Sequence, residues 1–314
     1  MIEACVIGGS RYFGRLLIAK LLASEVRVTV LNRGSTPAPP EVTHLRADRD
    51  DEDSLRAALG SRTFDVVVDQ VCYTPRQAAV ARRVFAGRIR RYVMTSTIEV
   101  YDPAGSAAVP PASPGTPVSE STIDLSSWSI RPDLPWHDPD FLDANYGEGK
   151  RQAEAEFSRE TGFTFASVRS GHVLGGGAND FTGRLDHYIQ RVRSGRPVAV
   201  HRTNHRSSFI SRDEIADVLC WAAQADFAGA VNARSHVELS VTDICQAIAA
   251  AGLGHPVFAA VEPGAEASPY AFDRYYGMDN ARAERLGFRF SCTTDWLPRV
   301  VAEAVADGRG PRDA

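Results

Sequence analysis

Short apolar runs alternate with amphipathic helical patterns over the first 100 residues. The apolar runs predict strands at 3–7, 26–31, 42–46, 65–70 and 90–95, and the helical patterns fall at 13–23, 52–59 and 76–86. The predicted strands are rich in β-branched residues, which is typical of strands covered by helices on both faces. This order predicts right-handed βαβ units and a parallel α/β sheet.

The middle of the chain departs from this rhythm. Residues 102–140 are rich in Pro, Ser and Ala and lack hydrophobic periodicity. So long a stretch without secondary structure is usually functional or mobile, and it ends just before the next helical pattern. We therefore expect residues 102–140 to form a flap over the active site.

Helical and extended patterns return at 144–162, 163–168, 184–194, 212–226 and 240–251. We expect a first domain over 1–168, which includes the flap. A smaller α/β portion over 169–308, interleaved with the sheet, should follow. Residues 309–314 are expected to be a disordered tail.

Composition narrows the class of protein. The 314 residues carry a formal net charge of −4, which gives no general attraction to nucleic acid or membrane. No apolar run approaches the ~20 residues that a membrane span needs, and a strand pattern beginning at residue 3 leaves no room for a signal peptide. The five cysteines are scattered without zinc-type spacing. We expect a cytoplasmic protein without a metal site.

A glycine-rich turn directly follows the first predicted strand and precedes a helix. Its residues are Gly8, Gly9, Ser10, Arg11, Tyr12, Phe13 and Gly14. A tight turn that brings the backbone and a helix N-terminus together can bind the pyrophosphate of a dinucleotide. Alone this is a weak signal, because glycine-rich turns are common.

A second motif comes much later, in a helical pattern. Tyr146 and Lys150 are four residues apart and therefore lie on one face of a helix. A positive charge nearby lowers the pKa of a tyrosine and lets it exchange a proton near neutral pH. The spacing favours an acid/base pair, although an amphipathic helix with a half-buried tyrosine gives the same pattern.

In this order, the two motifs resemble the short-chain dehydrogenase/reductase superfamily in its extended branch, the NAD-dependent epimerase/dehydratase family. The resemblance implies a doubly wound Rossmann fold with a smaller C-terminal substrate-binding α/β portion. It also implies a nicotinamide cofactor, with Tyr146 as the acid/base and Lys150 as a ligand of the cofactor ribose. Weaker matches continue over nearly the whole chain, and the family habit predicts a homodimer through the helix that carries Tyr146.

The cofactor residues depart from the family pattern at two places. Gly8 and Gly14 match the outer glycines of GxxGxxG, whereas Arg11 occupies the middle position. Where NAD enzymes carry an acidic residue after the second strand, this chain has Asn32 and Arg33. Two arginines near one ribose favour NADP over NAD, with a solvated turn as the alternative for Arg33. The resemblance adds cofactor contacts at Asp48, Arg49, Gln70, Val71, Cys72 and Val173.

The segment after the fifth strand resembles the family's SSxxVY motif and assigns Thr97 as the hydroxyl that positions the reacting oxygen. Glu99 stands where sugar-nucleotide dehydratases carry the glutamate that removes a sugar proton. Ile98 replaces the usual polar neighbour, so a catalytic and a structural role for Glu99 both stay open.

Two later residues are expected to contact the substrate. His172 stands in place of a family asparagine, and Arg206 is one position away from the usual pyrophosphate arginine. A hydrogen-bonded pocket histidine and a solvated loop are the alternatives for these positions.

Three functions are compatible with this pattern. The first is an NADP-dependent oxidoreductase or epimerase that acts on a hydroxyl or keto carbon of a sugar, with a nucleotide-linked sugar expected, and the second is a dehydratase that uses Glu99. The third is RNA binding, because the turn at 8–14 followed by residues 31–36 also resembles chloroplast stem-loop RNA-binding relatives. The basic strip 82–91 could contact phosphates, with a solvated helix-to-strand turn as the alternative. The Tyr146 and Lys150 pair and the net negative charge argue against RNA binding.

Overall fold

The computed structural model describes residues 1–103, 106, 108–159, 162–262 and 265–307. The predicted tail at 309–314 lies outside the described residues, as do residues 104, 105 and 107 of the predicted flap. The chain divides into two compact units. The first contains residues 1–111, 120–170 and 216–232, and the second contains 112–119, 171–215 and 233–314. The predicted domain division at residue 168 stays a prediction.

The strands, in chain order, are β1 (Glu3–Ile7), β2 (Arg27–Asn32), β3 (Thr43–Arg46), β4 (Phe64–Asp69), β5 (Ile89–Thr97), β6 (Thr164–Ser170), β7 (His172–Leu174), β8 (Val198–His201), β9 (Phe209–Ser211), β10 (Gly229–Ala233) and β11 (Phe258–Val261). The helices are α1 (Phe13–Ala23), α2 (Glu52–Leu59), α3 (Pro75–Phe85), α4 (Pro139–Ala144), α5 (Tyr146–Ser158), α6 (Arg184–Ser194), α7 (Arg212–Gln224), α8 (Val241–Ala250), α9 (Ala281–Arg285) and α10 (Thr293–Asp307). Strands β1 to β6 and helices α1 to α3 lie within three residues of their predicted bounds.

The first unit is built on a seven-stranded sheet in the order β3-β2-β1-β4-β5-β6-β10. The pairings from β3 through β6 are parallel. The strand order reverses between β1 and β4, and in doubly wound sheets ligands bind at the carboxyl ends of the strands beside such a reversal. The predicted Rossmann fold is therefore confirmed, and the sheet places the glycine turn at this edge.

Alternation along the strands divides the core of this unit between two faces. Cys5, Val67 and Met94 pack in one cluster with side chains of α2, α3 and α5. On the other face, α1 and α7 lie together, where Lys20 forms an ion pair of 2.5 Å with Asp217. A sheet covered by helices on both faces explains why its strands are apolar throughout.

Helix α5 is buried from Gly149 to Phe157 except at Glu156. Both the sheet and residues 128–136 cover α5. We call residues 128–136 the α5 strap. Trp128 Nε1 donates to Glu148 at 3.2 Å, and the Arg131 backbone N–H donates to Gln152 at 2.7 Å. Part of the predicted flap thus packs against α5.

The second unit has its own hydrophobic core. Apolar side chains of α6, α8 and α10 pack there with Leu174 of β7 and Phe209 of β9. Strands β7 and β9 pair in parallel, as do β8 and β11. Sequence patterns predicted α6 and α8 but missed these strands, each of four residues or fewer.

Across both units, every helix within the described ranges is too short or too polar to cross a membrane.

Candidate functional site

The glycine turn after β1 is held by close backbone contacts. Gly8 and Gly9 have φ of 87° and 77°, a region that side chains rarely adopt. A Cβ on Gly14 would lie 2.6 Å from Gly9 Cα and would also collide with Gln70 Oε1. These glycines therefore let α1 begin directly against the turn, with its N-terminus at the carboxyl edge of the sheet.

Gln70 and Val71 close the turn from the end of β4. A Cβ on Gly8 would be 3.0 Å from Val71 Cγ1. The Gln70 Nε2 is buried and has no hydrogen-bond partner within the described residues. A buried amide donor without a partner is costly, so it is a position where a bound ligand could supply the acceptor.

Asn32, at the end of β2, binds its own neighbours. Its Nδ2 donates to Ser10 Oγ at 2.7 Å, and its Oδ1 accepts from the Gly34 backbone N–H at 2.7 Å. His44 Nε2 lies 2.9 Å from the same oxygen. Asn32 thereby ties the glycine turn to the ends of β2 and β3, with Arg33 exposed beside it.

Three exposed arginines surround this corner: Arg11 in the glycine turn, Arg33 after β2, and Arg46 at the end of β3. The Arg46 side chain lies against Gly34, where an added Cβ would be 3.0 Å from its Nε. Among the described residues, none of the three guanidinium groups has an ion pair or hydrogen bond. The corner therefore offers positive charge that no described residue neutralises.

Arg49 occupies a different position from these three. Its guanidinium is buried and pairs with Asp69, the last residue of β4, and Tyr92 also donates to Asp69 at 2.6 Å. Cys72 is buried nearby, and burial raises the pKa of its thiol to about 12. Asp48, in contrast, is exposed and accepts from the Asp50 backbone N–H at 3.0 Å.

Helix α5 brings Tyr146 and Lys150 to the ends of β4 and β5. Two glycines allow this approach. A Cβ on Gly149 would lie 2.5 Å from the Tyr73 carbonyl oxygen, and one on Gly147 would collide with the Glu99 carbonyl oxygen. The two glycines between Tyr146 and Lys150 therefore let α5 pack closely against the ends of β4 and β5.

Lys150 is almost fully buried, with 2% of its surface exposed. Its Nζ donates to the Thr95 carbonyl oxygen at 2.9 Å and lies 5.8 Å from the centre of the Tyr146 ring. Burial lowers the pKa of Lys150 to about 8, although Asp69 and Glu154 favour its charged form. The ammonium and the Tyr146 ring are therefore neighbours, as the spacing predicted.

Thr97 ends β5 and begins the turn that carries Glu99. Its Oγ1 accepts from the Glu99 backbone N–H at 3.2 Å. The buried Arg151 of α5 donates to the carbonyl oxygens of Val100 and Asp102 at 2.9 and 3.0 Å. These contacts hold the turn after β5 against the first turns of α5, so Thr97 and Glu99 lie at the same edge as Tyr146.

The predicted substrate residues belong to the second unit. His172 is buried among the rings of Phe209, Tyr270, Phe272 and Tyr276, at centroid distances of 4.8 to 5.9 Å. Burial lowers its pKa to about 3, aided by the charge of Arg184.

The other two predicted residues of this unit differ in exposure. Val173 follows in β7 and is partly buried. Arg206 is exposed and pairs with Asp243 at 3.2 Å.

The arginines of the basic strip 82–91 form ion pairs or hydrogen bonds within the first unit. Arg82 pairs with Glu156, Arg83 with Glu52 and Arg90 with Asp65, while Arg88 donates to the Gly60 carbonyl oxygen and Arg91 to those of Ala222 and Phe227. This strip is therefore a poor candidate for binding phosphates.

The family model described as the NAD dependent epimerase/dehydratase family matches residues 4–123. The segment includes the glycine turn, the corner at Asn32, and the turn with Thr97 and Glu99, so the predicted resemblance is confirmed for it. Tyr146 and Lys150 lie beyond the matched residues.

Comparisons with solved structures extend the likeness in fold to nearly the whole chain. The structure superposes on a UDP-glucose 4-epimerase from Thermus thermophilus in complex with NAD, with a TM-score of 0.70 and 18% identity, over 98% of this chain and 100% of that one. A dTDP-glucose 4,6-dehydratase from Bacillus anthracis in complex with NAD gives a TM-score of 0.73 at 12% identity, over 98% and 97% of the two chains. At these identities the likeness is one of fold.

A curated relative is named for the binding of stem-loops. It is the chloroplast stem-loop binding protein of 41 kDa b from Arabidopsis thaliana, 22% identical over 213 residues. The match covers 62% of this chain and 48% of the relative, so the chain spans about half the length of this relative.

Sequence reasoning missed Arg46, Asp69 and Tyr73 at this site. Arg46 and Asp69 end their strands, and Tyr73 follows β4 by four residues. Their positions at or just after the ends of predicted strands could have revealed them, because parallel sheets assemble their sites at the carboxyl ends of strands.

Proposed function

We propose that this chain is a nicotinamide-dependent oxidoreductase or epimerase that acts at a hydroxyl or keto carbon of a nucleotide-linked sugar. The observation that carries the proposal is the buried Lys150 ammonium beside the Tyr146 ring, at the sheet edge where the glycine turn ends. A lysine is almost never fully buried unless its charge is paired. The relatives of this fold that are named as sugar-nucleotide enzymes support the choice of substrate.

The residues present fit a dinucleotide. Glycine at positions 8, 9 and 14 lets the turn backbone and the N-terminus of α1 pack closely at the strand ends, and Gln70 Nε2 is an unused buried donor. Arg11, Arg33 and Arg46 would hold the adenosine ribose and a 2′-phosphate. When bound, the nicotinamide supplies the hydride acceptor or donor for a carbinol or carbonyl carbon.

The protein supplies the proton chemistry. Tyr146 gives its phenolic proton to the carbonyl oxygen during reduction and takes the hydroxyl proton during oxidation. Thr97 positions that oxygen by a hydrogen bond, and the charged Lys150 stabilises the phenolate form of Tyr146. An epimerase uses the same groups twice, first to oxidise and then to reduce the opposite face.

Tyr146→Phe tests this assignment. The variant keeps the ring and removes only the hydroxyl, so we expect folding and cofactor affinity to survive while turnover falls by about 10² or more. Conversion of UDP-glucose and dTDP-glucose is followed by chromatography, with calorimetry for the cofactor. Tyr275→Phe, which removes a phenol in the second unit, is the matched control. Near-normal turnover of Tyr146→Phe would move the acid/base role to another residue.

Cofactor preference depends on the arginine corner. We expect NADP(H) to bind at least about tenfold more tightly than NAD(H), equivalent to ~1.4 kcal/mol, because three unpaired guanidinium groups can pair with a 2′-phosphate. Calorimetric titration of both cofactors measures this difference. Arg33→Ala and Arg46→Ala should lose NADP affinity and keep NAD affinity, whereas Arg62→Ala, before β4, should change neither. Equal affinities of the wild type for both cofactors would disprove the preference.

Elimination of water is the second candidate reaction, because Glu99 lies against the first turn of α5. The buried Ile98 cannot relay a proton, so we favour products without loss of water. Mass spectrometry of the same products distinguishes the reactions. A product lighter by one water that disappears in Glu99→Gln would establish the dehydratase.

The predictions of a homodimer and a cytoplasmic location stay predictions. RNA binding has the support of the curated relative but not of the paired arginine strip.

A further inference from the structure

Tyr73 lies just beyond the end of β4 and is fixed through its backbone. Its N–H donates to Gln77 Oε1 at 2.6 Å, and Gln77 Nε2 in turn donates to Asp50 Oδ1 at 2.7 Å. Its carbonyl oxygen faces Gly149, where an added Cβ would be only 2.5 Å away. Tyr73 is therefore held between α3 and α5 by contacts that do not involve its ring.

The Tyr73 ring faces the Lys150 ammonium more closely than the Tyr146 ring does. Nζ lies 4.4 Å from the centre of the Tyr73 ring and 5.8 Å from that of Tyr146, and the two ring centres are 6.2 Å apart. An ammonium has three N–H donors, and one goes to Thr95. The negative face of an aromatic ring attracts a cation, most strongly where water is excluded.

We propose that Tyr73 is a positioning residue for Lys150, whose ring holds the ammonium charged and in place beside Tyr146. This inference rests on the proposed function only for its catalytic consequence. The contact between the ring and the ammonium stands without it.

Other charged and titratable groups also face Lys150. Asp69 and Cys72 lie at the end of β4, Glu154 follows on α5, and Arg49 comes from the loop after β3. Burial already lowers the Lys150 pKa to about 8, and Arg49 lowers it further, whereas Asp69, Glu154 and Cys72 raise it. Loss of the Tyr73 ring would remove one more interaction that favours the charged form, so the pKa should fall towards neutrality.

The sequence makes this measurable, because Lys20 and Lys150 are its only lysines. Protein labelled with ¹³C at the lysine ε carbon gives two signals in an NMR titration, and Lys20→Arg assigns them. We expect Lys150 in the wild type to titrate near 8. In Tyr73→Leu its pKa should fall by about half to one pH unit, whereas Tyr73→Phe, which keeps the ring, should leave it unchanged. Lys20 is the internal control in every sample.

A Lys150 pKa that is the same in Tyr73→Leu and the wild type would overturn the proposal. If Tyr73→Leu does not fold, the wild type and Tyr73→Phe decide it. The ε protons of Lys150 should be shifted upfield of those of Lys20 by the ring current, and unshifted protons would refute the contact.

This test is separable from that of the proposed function, because the titration needs no substrate. A Lys150 pKa that is unchanged in Tyr73→Leu, together with lost turnover in Tyr146→Phe, would support the proposed enzyme and disprove the role of Tyr73. A lowered Lys150 pKa in Tyr73→Leu, together with normal turnover in Tyr146→Phe, would support the role of Tyr73 and disprove the proposed function.

Discussion

His172 lies among four aromatic rings, and its Nε2 is buried without a hydrogen-bond partner in the described part of the chain. In this surrounding a charged imidazole is poorly solvated, which is why the pKa falls. The side chain is therefore neutral at neutral pH and is a poor ligand for an anion. As a substrate contact it would offer one neutral hydrogen bond and the face of a ring.

This neutral state should make the protein sensitive to acid. The folded pKa is about 3 and the ordinary value is 6.5, so the unfolded chain takes up a proton first as pH falls below 6.5. The neutral imidazole therefore contributes its full stabilisation above pH 6.5. As the pH falls from 6.5 to about 3, this stabilisation is lost at ~1.4 kcal/mol per pH unit. When the pH falls from 6.5 to 5, the free energy of unfolding of His172→Phe should decrease by about 2 kcal/mol less than that of the wild type, as measured by urea unfolding.

The exposed His137 provides the control for this comparison. His137→Gln should follow the pH dependence of the wild type. A His172→Phe variant with the same pH slope as the wild type would show that folding does not lower the pKa of this imidazole.

At the scale of elements, α5 contains two glycines, which are poor helix formers. The structure gives the reason, because both sites face backbone carbonyl oxygens. Gly149→Ala should stabilise the isolated helix but destabilise the protein by about 1–3 kcal/mol, since the Tyr73 carbonyl cannot move as a side-chain end can. Thermal unfolding measures the effect, with the exposed Ser158→Ala of the same helix as the control. A Gly149→Ala protein as stable as the wild type would mean that α5 can shift without cost.

The sequence could predict the elements whose pattern is local. Strands β1 to β6 and helices α1 to α3 follow hydrophobic periodicity, and the pair Tyr146 and Lys150 follows helical spacing. The ion pair of Arg49 with Asp69 joins residues twenty positions apart, and no local pattern encodes such a contact. The α5 strap was likewise hidden, because it packs through two tryptophans and backbone groups rather than through a repeated apolar face.

For the molecule as a whole, the strap limits how copies could associate. The family habit of pairing through the helix of the active site needs an accessible helix surface. Here Trp128 and Trp136 are buried, and the Arg151 guanidinium lies 5.4 Å from the Trp128 ring. The predicted homodimer through α5 stays a prediction, and its interface would have to accommodate the strap.

The strap also links the stability of the candidate site to residues outside its predicted chemical groups. Proteins open locally in cooperative groups, and hydrogen exchange reports the free energy of each opening. Because α5 is enclosed by the strap, its amides should exchange only when both segments open together. Replacing Trp128 and Trp136 by Ala should therefore speed exchange throughout 146–158 and leave β2 unchanged, as measured by mass spectrometry. Unaltered protection of α5 would show that α5 opens independently of the strap. Faster exchange would mean that the lifetime of the arrangement of Tyr146 and Lys150 depends on two tryptophans outside it.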